Sequence, residues 1–185
     1  MLDSSLLPLE GTGTRLRPLA DKDAQAFAEG AQDVAVRQYG HLPEPTYTPE
    51  SVTAMVRDEV VPGLAHGNLA VLTIADVSTD DFCGSLVLFD VTDDRAEVGF
   101  WLHPAHRGTG RTTEALGLAA SFVRRSGLSQ LTARTVPANT ASRHILTRAG
   151  FTLVGRSADR APSGHTTTLL HYRYDITGDD AARST

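Results

Sequence analysis

The stretch of sequence best suited to chemistry is a turn rich in arginine and glycine, Arg107–Thr112, which reads RGTGRT. It follows an apolar run, Ala96–His103, and leads directly into a helical pattern, Gly110–Arg125. Glycine lets the backbone approach a ligand closely, and the free N–H groups and dipole at a helix start attract anions. The two arginines can add charge-assisted hydrogen bonds. The turn is therefore a candidate diphosphate site, although its glycines would equally suit an ordinary tight connection between a strand and a helix.

Two widespread nucleotide-binding motifs do not fit this turn. A dinucleotide-binding fingerprint needs a third glycine where the chain has Thr113, and a Walker-type loop ends in Gly-Lys followed by Ser or Thr. An earlier glycine pair, in Gly11-Thr12-Gly13, precedes a predicted strand instead of following one. We therefore interpret it as unrelated to nucleotide binding.

Three other side chains near the turn could do chemistry. Glu97 lies near the start of the preceding apolar run, where a partly buried carboxylate could accept a proton. It could also be a solvated charge beside Arg95. His103 and His106 form an H-x-x-H pair, but no third ligand follows at a recognisable spacing, so we predict no metal site.

The chain around these residues alternates between strand-like and helical patterns. Apolar runs predict seven strands, namely Arg15–Leu19, Leu69–Ala75, Phe82–Phe89, Ala96–His103, Leu131–Val136, Phe151–Val154 and Thr168–Ile176. Helical spacing and end signals predict four helices, namely Asp21 or Asp23 to Ala35, Glu50–Val61, Gly110–Arg125 and Thr140–Ala149. Asn139 is the expected N-cap of the last helix and Gly150 its left-handed end.

This order predicts an α/β (α+β) fold with a mixed, mostly antiparallel sheet of about six to seven strands. The strand–helix–strand crossover makes one central pair parallel, and helices cover both faces of the sheet. Residues 14–176 are expected to form one domain, between a flexible leader over residues 1–13 and a polar tail over residues 177–185.

Composition narrows the possible partners. The chain of 185 residues is 41% hydrophobic and 21% charged, which is typical of a globular protein. Its formal net charge of −5 argues against a nucleic-acid partner. No segment is apolar enough for a membrane span or a signal peptide, so we expect a cytoplasmic protein. Cys83 is the single cysteine, which excludes an internal disulfide, and we expect it to be buried in a strand.

Several motifs together resemble a known family. Arg107–Thr112 is similar to the Arg/Gln-x-x-Gly-x-Gly/Ala signature of the GNAT superfamily of N-acetyltransferases. The flanking sequences Glu97–Leu102 and Pro137–Arg143, the closing Ala149–Phe151 and the opening Arg15–Leu19 resemble the branch that includes RimJ and RimL. The resemblance spans roughly residues 14–176, and motifs in the correct order are more specific than any one alone.

The resemblance implies an acetyl-CoA-dependent N-acetyltransferase that moves the acetyl group directly to a primary amine in a ternary complex. Acetyl-CoA would be a co-substrate, and no metal is implied. The implied coenzyme-binding residues are Phe100, Trp101, Leu102, Arg107, Gly108, Thr109, Gly110, Arg111, Thr112, Asn139 and Ser142. The implied catalytic residues are Glu97 or Asp159 as general base and Ser142 as the group near the coenzyme sulfur.

The sequence departs from the family pattern at two positions. Thr112 replaces the last Gly or Ala of the signature, and Leu146 stands where many relatives have a tyrosine acid. These departures keep open a second hypothesis, a non-catalytic acyl-CoA-binding or regulatory module. A nucleotide-dependent enzyme is a third.

The acceptor is not specified by any motif. It could be a small-molecule amine or a protein N-terminus, and we expect Gly40–Pro49, the first two helices and Asp159–Thr167 to select it. The protein could act as a monomer or a homodimer.

Overall fold

The computed structural model describes residues 1–40, 42–160 and 166–176, except for the side chains of residues 159 and 160. Its strands are β1 (Leu9–Glu10), β2 (Thr14–Pro18), β3 (Ala70–Asp76), β4 (Phe82–Phe89), β5 (Arg95–Leu102), β6 (Gln130–Thr135), β7 (Thr152–Arg160) and β8 (Thr166–Asp175). Its α-helices are α1 (Ala24–Ala31), α2 (Val34–Tyr39), α3 (Pro49–Met55), α4 (Val61–His66), α5 (Arg111–Arg125) and α6 (Thr140–Arg148). Short 3₁₀ helices are formed by Ser4–Leu6, Asp21–Asp23 and Pro104–His106.

The strands form one sheet in the order β1-β2-β3-β4-β5-β6-β8-β7. Every neighbouring pair is antiparallel except β5 and β6, which are parallel. The predicted mixed sheet with one central parallel pair is therefore confirmed. The sheet has eight strands, more than expected, because the two-residue strand β1 is too short to give an alternating pattern.

The parallel pair separates soon after it forms. Only three residues of β5, Arg95 to Glu97, pair with β6. Beyond Glu97, β5 continues beside β4, whereas β6 continues beside β8. Among the described strands, none pairs with this edge of β5 beyond Glu97, and a gap opens between β5 and β6.

Helix α5 covers one face of the sheet. Its buried apolar residues include Ala115, Leu116, Ala119, Phe122 and Val123, the face that the helical spacing predicts. It packs against β2, β3, β5 and β6, and Leu146 of α6 joins the same core. Since burying a large apolar side chain contributes about 1.5–3 kcal/mol, this layer holds α5 firmly behind β5.

A second core lies on the opposite face, under α1 and α3. It includes an aromatic cluster in which the ring of Phe27 lies 5.3 Å from Tyr47 and 5.1 Å from Trp101, centroid to centroid, both edge to face. Gly30 lets α1 approach the sheet closely, because a Cβ there would lie 2.7 Å from the Trp101 ring. The cluster fixes the position of α1 over β5.

Two predicted helix boundaries are wrong. The first predicted helix is divided into α1 and α2, and Asp33 caps α2 by accepting hydrogen bonds from the N–H groups of Ala35 and Val36. The second does not stop at Pro62-Gly63, because a π-helical turn at Val56–Val60 changes the hydrogen-bond register just before the proline. The helix instead ends at Gly67, which has a φ of 69°.

The two ends of the predicted domain also differ from expectation. Within residues 1–13, predicted to be a flexible leader, Leu2 and Leu9 are buried and β1 pairs with β2. The strand predicted over Phe151–Val154 extends to Arg160, because pairing with β8 stabilises a stretch too polar to be recognised. The predicted tail, residues 177–185, lies outside the described residues.

None of the described helices combines the length and apolar character needed to cross a membrane.

A buried ion pair anchors the start of α1. Arg17 of β2 donates to both carboxylate oxygens of Asp23, at 2.7 and 2.8 Å. Asp23 also accepts hydrogen bonds from the Ala20 N–H, at 3.0 Å, and the Thr73 hydroxyl, at 2.9 Å. A carboxylate that is 2% exposed needs such partners, because an unpaired buried charge is strongly destabilising.

We therefore expect Asp23→Ala to lower the free energy of unfolding by about 3–5 kcal/mol, since it leaves Arg17 without its main partner. Urea unfolding followed by circular dichroism measures the change. The control is Asp58→Ala, which removes an exposed partner of Arg57 and should cost at most about 1 kcal/mol. Equal losses in the two variants would contradict the anchoring role of Asp23.

Candidate functional site

The glycine turn has the geometry of an anion site. After β5, the chain turns through Gly108, with a φ of 78°, and Gly110, with a φ of 79°, and α5 begins at the next residue. Gly110 is the N-cap, and no side chain of the described residues caps the N-terminus of α5. The first N–H groups of a helix have no partner within it, and they point where its dipole is positive. The turn can therefore hold a diphosphate group.

A cleft of about 1190 Å³ opens in front of this turn, between the end of β5 and α6. It contains ten of the predicted coenzyme residues, namely Phe100, Trp101, Leu102, Arg107, Gly108, Thr109, Gly110, Thr112, Asn139 and Ser142. They come from two segments far apart in sequence. The fold brings these segments together because β5 and β6 separate and leave the space between them open.

The two arginines of the turn have different positions. Arg107 lines the cleft, and its guanidinium forms an ion pair with Asp33, the N-cap residue of α2. The Asp33 pKa is held below its ordinary value, chiefly by the hydrogen bond from Arg107. The pair joins α2 to the turn.

Arg111 points away from the cleft, contrary to prediction. Its guanidinium donates to the Gly13 carbonyl and the Asp76 carboxylate, behind the turn. Nearby, the Glu114 carboxylate accepts a hydrogen bond from the Gly13 N–H at 3.2 Å. Arg111 therefore fastens α5 to the segment before β2, and only its backbone N–H belongs to the anion site.

Thr112 lies in the first turn of α5 and is 4% exposed. Part of the residue lines the cleft. At this position the family signature has Gly or Ala, so Thr112 adds a hydroxyl and a methyl group on the buried face of α5, which also carries Ala115 and Leu116.

Asn139 and Ser142 form a cap at the start of α6. The Asn139 Oδ1 accepts from the Ser142 N–H at 3.1 Å, and its Nδ2 donates to the Ser142 Oγ at 2.9 Å. Because the hydroxyl oxygen already accepts a hydrogen bond, its own proton is left to donate elsewhere. Leu146 is 1% exposed and belongs to the core, so it supplies no acid.

Glu97 is the residue at which β5 and β6 separate. Its side chain is 13% exposed and accepts a hydrogen bond from the Arg134 Nε at 2.8 Å. Burial raises the pKa of Glu97, and the guanidinium of Arg134 only partly offsets this effect. A carboxylate with a raised pKa can accept a proton near neutral pH. Arg134 was not predicted as a site residue, because the sequence does not give the register of a parallel pair.

A second space, a cavity of about 340 Å³, is lined by residues of α1, α3, β4, β5 and β6. Glu97 and Arg134 line it, together with the aromatic rings of Phe27, Tyr47 and Trp101. The cavity and the cleft share six lining residues, namely Tyr39, Gly40, Phe100, Trp101, Asn139 and Ser142. The two spaces therefore meet beside the separated edge of β5.

Two further residues singled out from the sequence are Asp159 and Cys83. Asp159 pairs with Thr167 in the β7–β8 ladder, and its side chain is outside the described residues. Cys83 is fully buried, and burial raises its thiol pKa, as expected for a structural cysteine. No group of three His, Cys, Asp or Glu residues suitable for a metal occurs in the described part of the chain.

Known proteins resemble this chain in sequence family and in fold. The family model described as "Acetyltransferase (GNAT) domain" matches residues 14–152. The ribosomal-protein-S5-alanine acetyltransferase from Vibrio fischeri has a TM-score of 0.78 and 17% identity, over 94% of this chain and 98% of that one. RimJ from Mycobacterium smegmatis, in complex with CoA-disulfide, has a TM-score of 0.75 and 21% identity, over 88% of this chain and 81% of that one. The microcin C7 self-immunity acetyltransferase MccE, in complex with acetyl-CoA and AMP, has a TM-score of 0.77 and 17% identity, over 89% and 93%.

The position of Thr112 leads to a test of the cleft. We expect Thr112→Ala to bind coenzyme A as tightly as the parent or more tightly, because alanine matches the family signature at this position and the change removes no backbone donor. Isothermal titration calorimetry measures the dissociation constant. Thr113→Ala, at the next cleft position, is the matched control. A loss of about tenfold or more in Thr112→Ala alone would instead make the hydroxyl a diphosphate contact.

Proposed function

The chain belongs to the acetyltransferase (GNAT) family, and from that premise we propose that it transfers an acetyl group from acetyl-CoA directly to a primary amine in a ternary complex. The observation that carries the proposal is the junction of the two spaces. The cleft leads from the anion site of α5 to Ser142, and the cavity begins at the same residues. A thioester in the cleft and an amine in the cavity could therefore meet without a covalent enzyme intermediate.

The coenzyme would be held by three backbone and side-chain features of this chain. The N–H groups at the start of α5 suit its diphosphate, with Arg107 beside them. The edge of β5 that faces β6, from residue 98 onward, offers hydrogen-bonding groups to the pantetheine arm of the coenzyme, which contains two amides. Asn139 is positioned for a further contact. When bound, acetyl-CoA supplies the activated acetyl group.

The backbone of Phe100–Leu102 is our proposed oxyanion site. The strand is held on its other edge by β4, so its N–H groups are fixed before the reaction. Donors that are already oriented stabilise developing negative charge more effectively than mobile ones. Ser142 would donate its hydroxyl proton to the departing sulfur, an easy task because a thiol with a pKa of about 8.5 is a tolerable leaving group.

Glu97 is the proposed general base, and Asp159 remains the alternative. Glu97 lines the cavity of about 340 Å³, which we call the acceptor cavity because the amine would bind there. Glu97 could take the proton of the attacking amine directly or through a water molecule. Its ion pair with Arg134 would orient the carboxylate, while burial keeps the pKa above the ordinary value. The competing hypothesis, a non-catalytic acyl-CoA-binding module, predicts tight coenzyme binding with no turnover.

Release of the free thiol from acetyl-CoA, measured across a panel of primary amines, tests the proposed reaction. Glu97→Gln should lower kcat about a hundredfold, because it removes the base but keeps an acceptor for Arg134. In the parent, the rate should fall as the pH drops through the raised pKa of Glu97, since only the carboxylate form can accept a proton. In Glu97→Gln, the rate should not show this fall at low pH.

Glu29→Gln, an exposed change on α1, is the control for Glu97→Gln and should keep the parental rate and pH profile. An unchanged profile in Glu97→Gln would exclude Glu97 as the base. Coenzyme binding without thiol release from any amine would favour the binding module.

Ser142→Ala tests the proposed acid. We expect kcat to fall about tenfold, with little change in the KM for acetyl-CoA, because a weak donor gives only modest help to a thiolate leaving group. The control is Thr147→Ala on the same helix, whose hydroxyl donates only to the Arg143 carbonyl at 3.0 Å. A higher KM with unchanged kcat would mean that Ser142 contributes only to binding.

A further inference from the structure

The wall of the acceptor cavity is mainly aromatic and aliphatic. Phe27, Tyr47 and Trp101 contribute rings that are each less than 9% exposed, and Met55, Val87 and Phe89 extend the apolar surface. The rings pack edge to face, and the Tyr47 hydroxyl accepts a hydrogen bond from the Glu44 N–H at 3.3 Å. These contacts fix the rings in place. A rigid apolar wall binds an apolar group at little cost in conformational entropy.

The floor of the cavity has room because of a glycine. Gly99 lies opposite Val87 in the β4–β5 ladder, and a Cβ on Gly99 would lie 3.1 Å from the Val87 Cγ1. Any larger residue would therefore crowd the floor. The resulting space of about 340 Å³ is near the lower end of the range for ligand pockets, about 300–1,000 Å³. It suits a body with one ring.

The charges around the cavity favour a cation. Among the described lining residues, the charged groups are Glu59, Glu97 and Arg134. Arg134 is paired with Glu97 and lies 3.8 Å from a carboxylate oxygen of Asp90. The positive charge of Arg134 is therefore already balanced. The carboxylate of Glu59 can attract an ammonium group.

We propose that the acceptor is a primary amine carried on an uncharged, apolar body of about the size of one aromatic ring, and that this body occupies the cavity between α1, α3 and β4–β5. The inference rests on the proposed function, because it assigns the cavity to the acceptor. The same chemistry occurs in a small arylalkylamine and in a polypeptide whose first residue is phenylalanine.

The only tryptophan of the chain, Trp101, lines the cavity, so its fluorescence reports acceptor binding without any need for turnover. With saturating coenzyme A, 2-phenylethylamine should bind at least about tenfold more tightly than ethanolamine, which has the same charge but no apolar body. Two peptides, beginning with Phe and with Ser, distinguish the sources. Binding of the Phe peptide assigns the site to a polypeptide N-terminus, whereas its exclusion assigns the site to a free amine.

Val87 provides a test of position, because it lines the cavity and has no part in the proposed chemistry. Val87→Phe should weaken phenylethylamine binding at least about tenfold by filling the space, while coenzyme A affinity stays within about twofold of the parent. Val61→Phe adds the same ring at a residue that is 59% exposed and is the control. If Val87→Phe fails to fold by circular dichroism, Val87→Ala replaces it and should shift the preference toward a two-ring amine.

The outcomes separate this inference from the proposed function. Selective binding of phenylethylamine without thiol release would support the cavity assignment and contradict acetyl transfer. Thiol release with ethanolamine as fast as with phenylethylamine, and equal binding of the two, would overturn the inference and leave acetyl transfer intact. Unchanged phenylethylamine binding in both Val87 variants would also overturn it.

Discussion

The separation of β5 from β6 is the constraint on which the site depends. Three residue pairs hold the strands together, and beyond Glu97 each strand follows a different neighbour. If the ladder continued, it would occupy the hydrogen-bonding groups of β5 and close the space between the two halves of the sheet. The cleft, the cavity and their junction all exist because it stops.

The ion pair between Glu97 and Arg134 lies at this point of separation. Glu97 is the last residue of β5 that pairs with β6, and its partner there is Thr132. Arg134 lies two residues further along β6 and donates a hydrogen bond to Glu97. The side chains thus continue the contact between the strands after the backbone bonds end. Because the pair is partly buried, breaking it would cost more than breaking a surface pair. The same carboxylate therefore connects the two strands and is also the base in the proposed reaction.

Local patterns predicted much of the fold, and long-range packing explains what they missed. The apolar face of α5 and the cap and end of α6 follow from residue spacing and from Asn139 and Gly150, which act within a few residues. The direction of Arg111 could not be foreseen, because it depends on Gly13 and Asp76, two segments that reach α5 only in the folded chain. The cavity likewise depends on how α1 and α3 sit over the sheet, and no single segment encodes that.

The origin of the site residues in different parts of the chain has an evolutionary consequence. The anion site and the cap of α6 come from residues after 106, whereas Phe27, Tyr47, Met55 and Val87 of the cavity wall come from the first half of the chain. Mutations at these four positions, none of which lines the cleft, can therefore reshape the cavity while the anion site keeps its geometry. Under the proposed function, such a division lets gene duplication produce enzymes that keep the same acetyl donor and diverge in the amine that they modify.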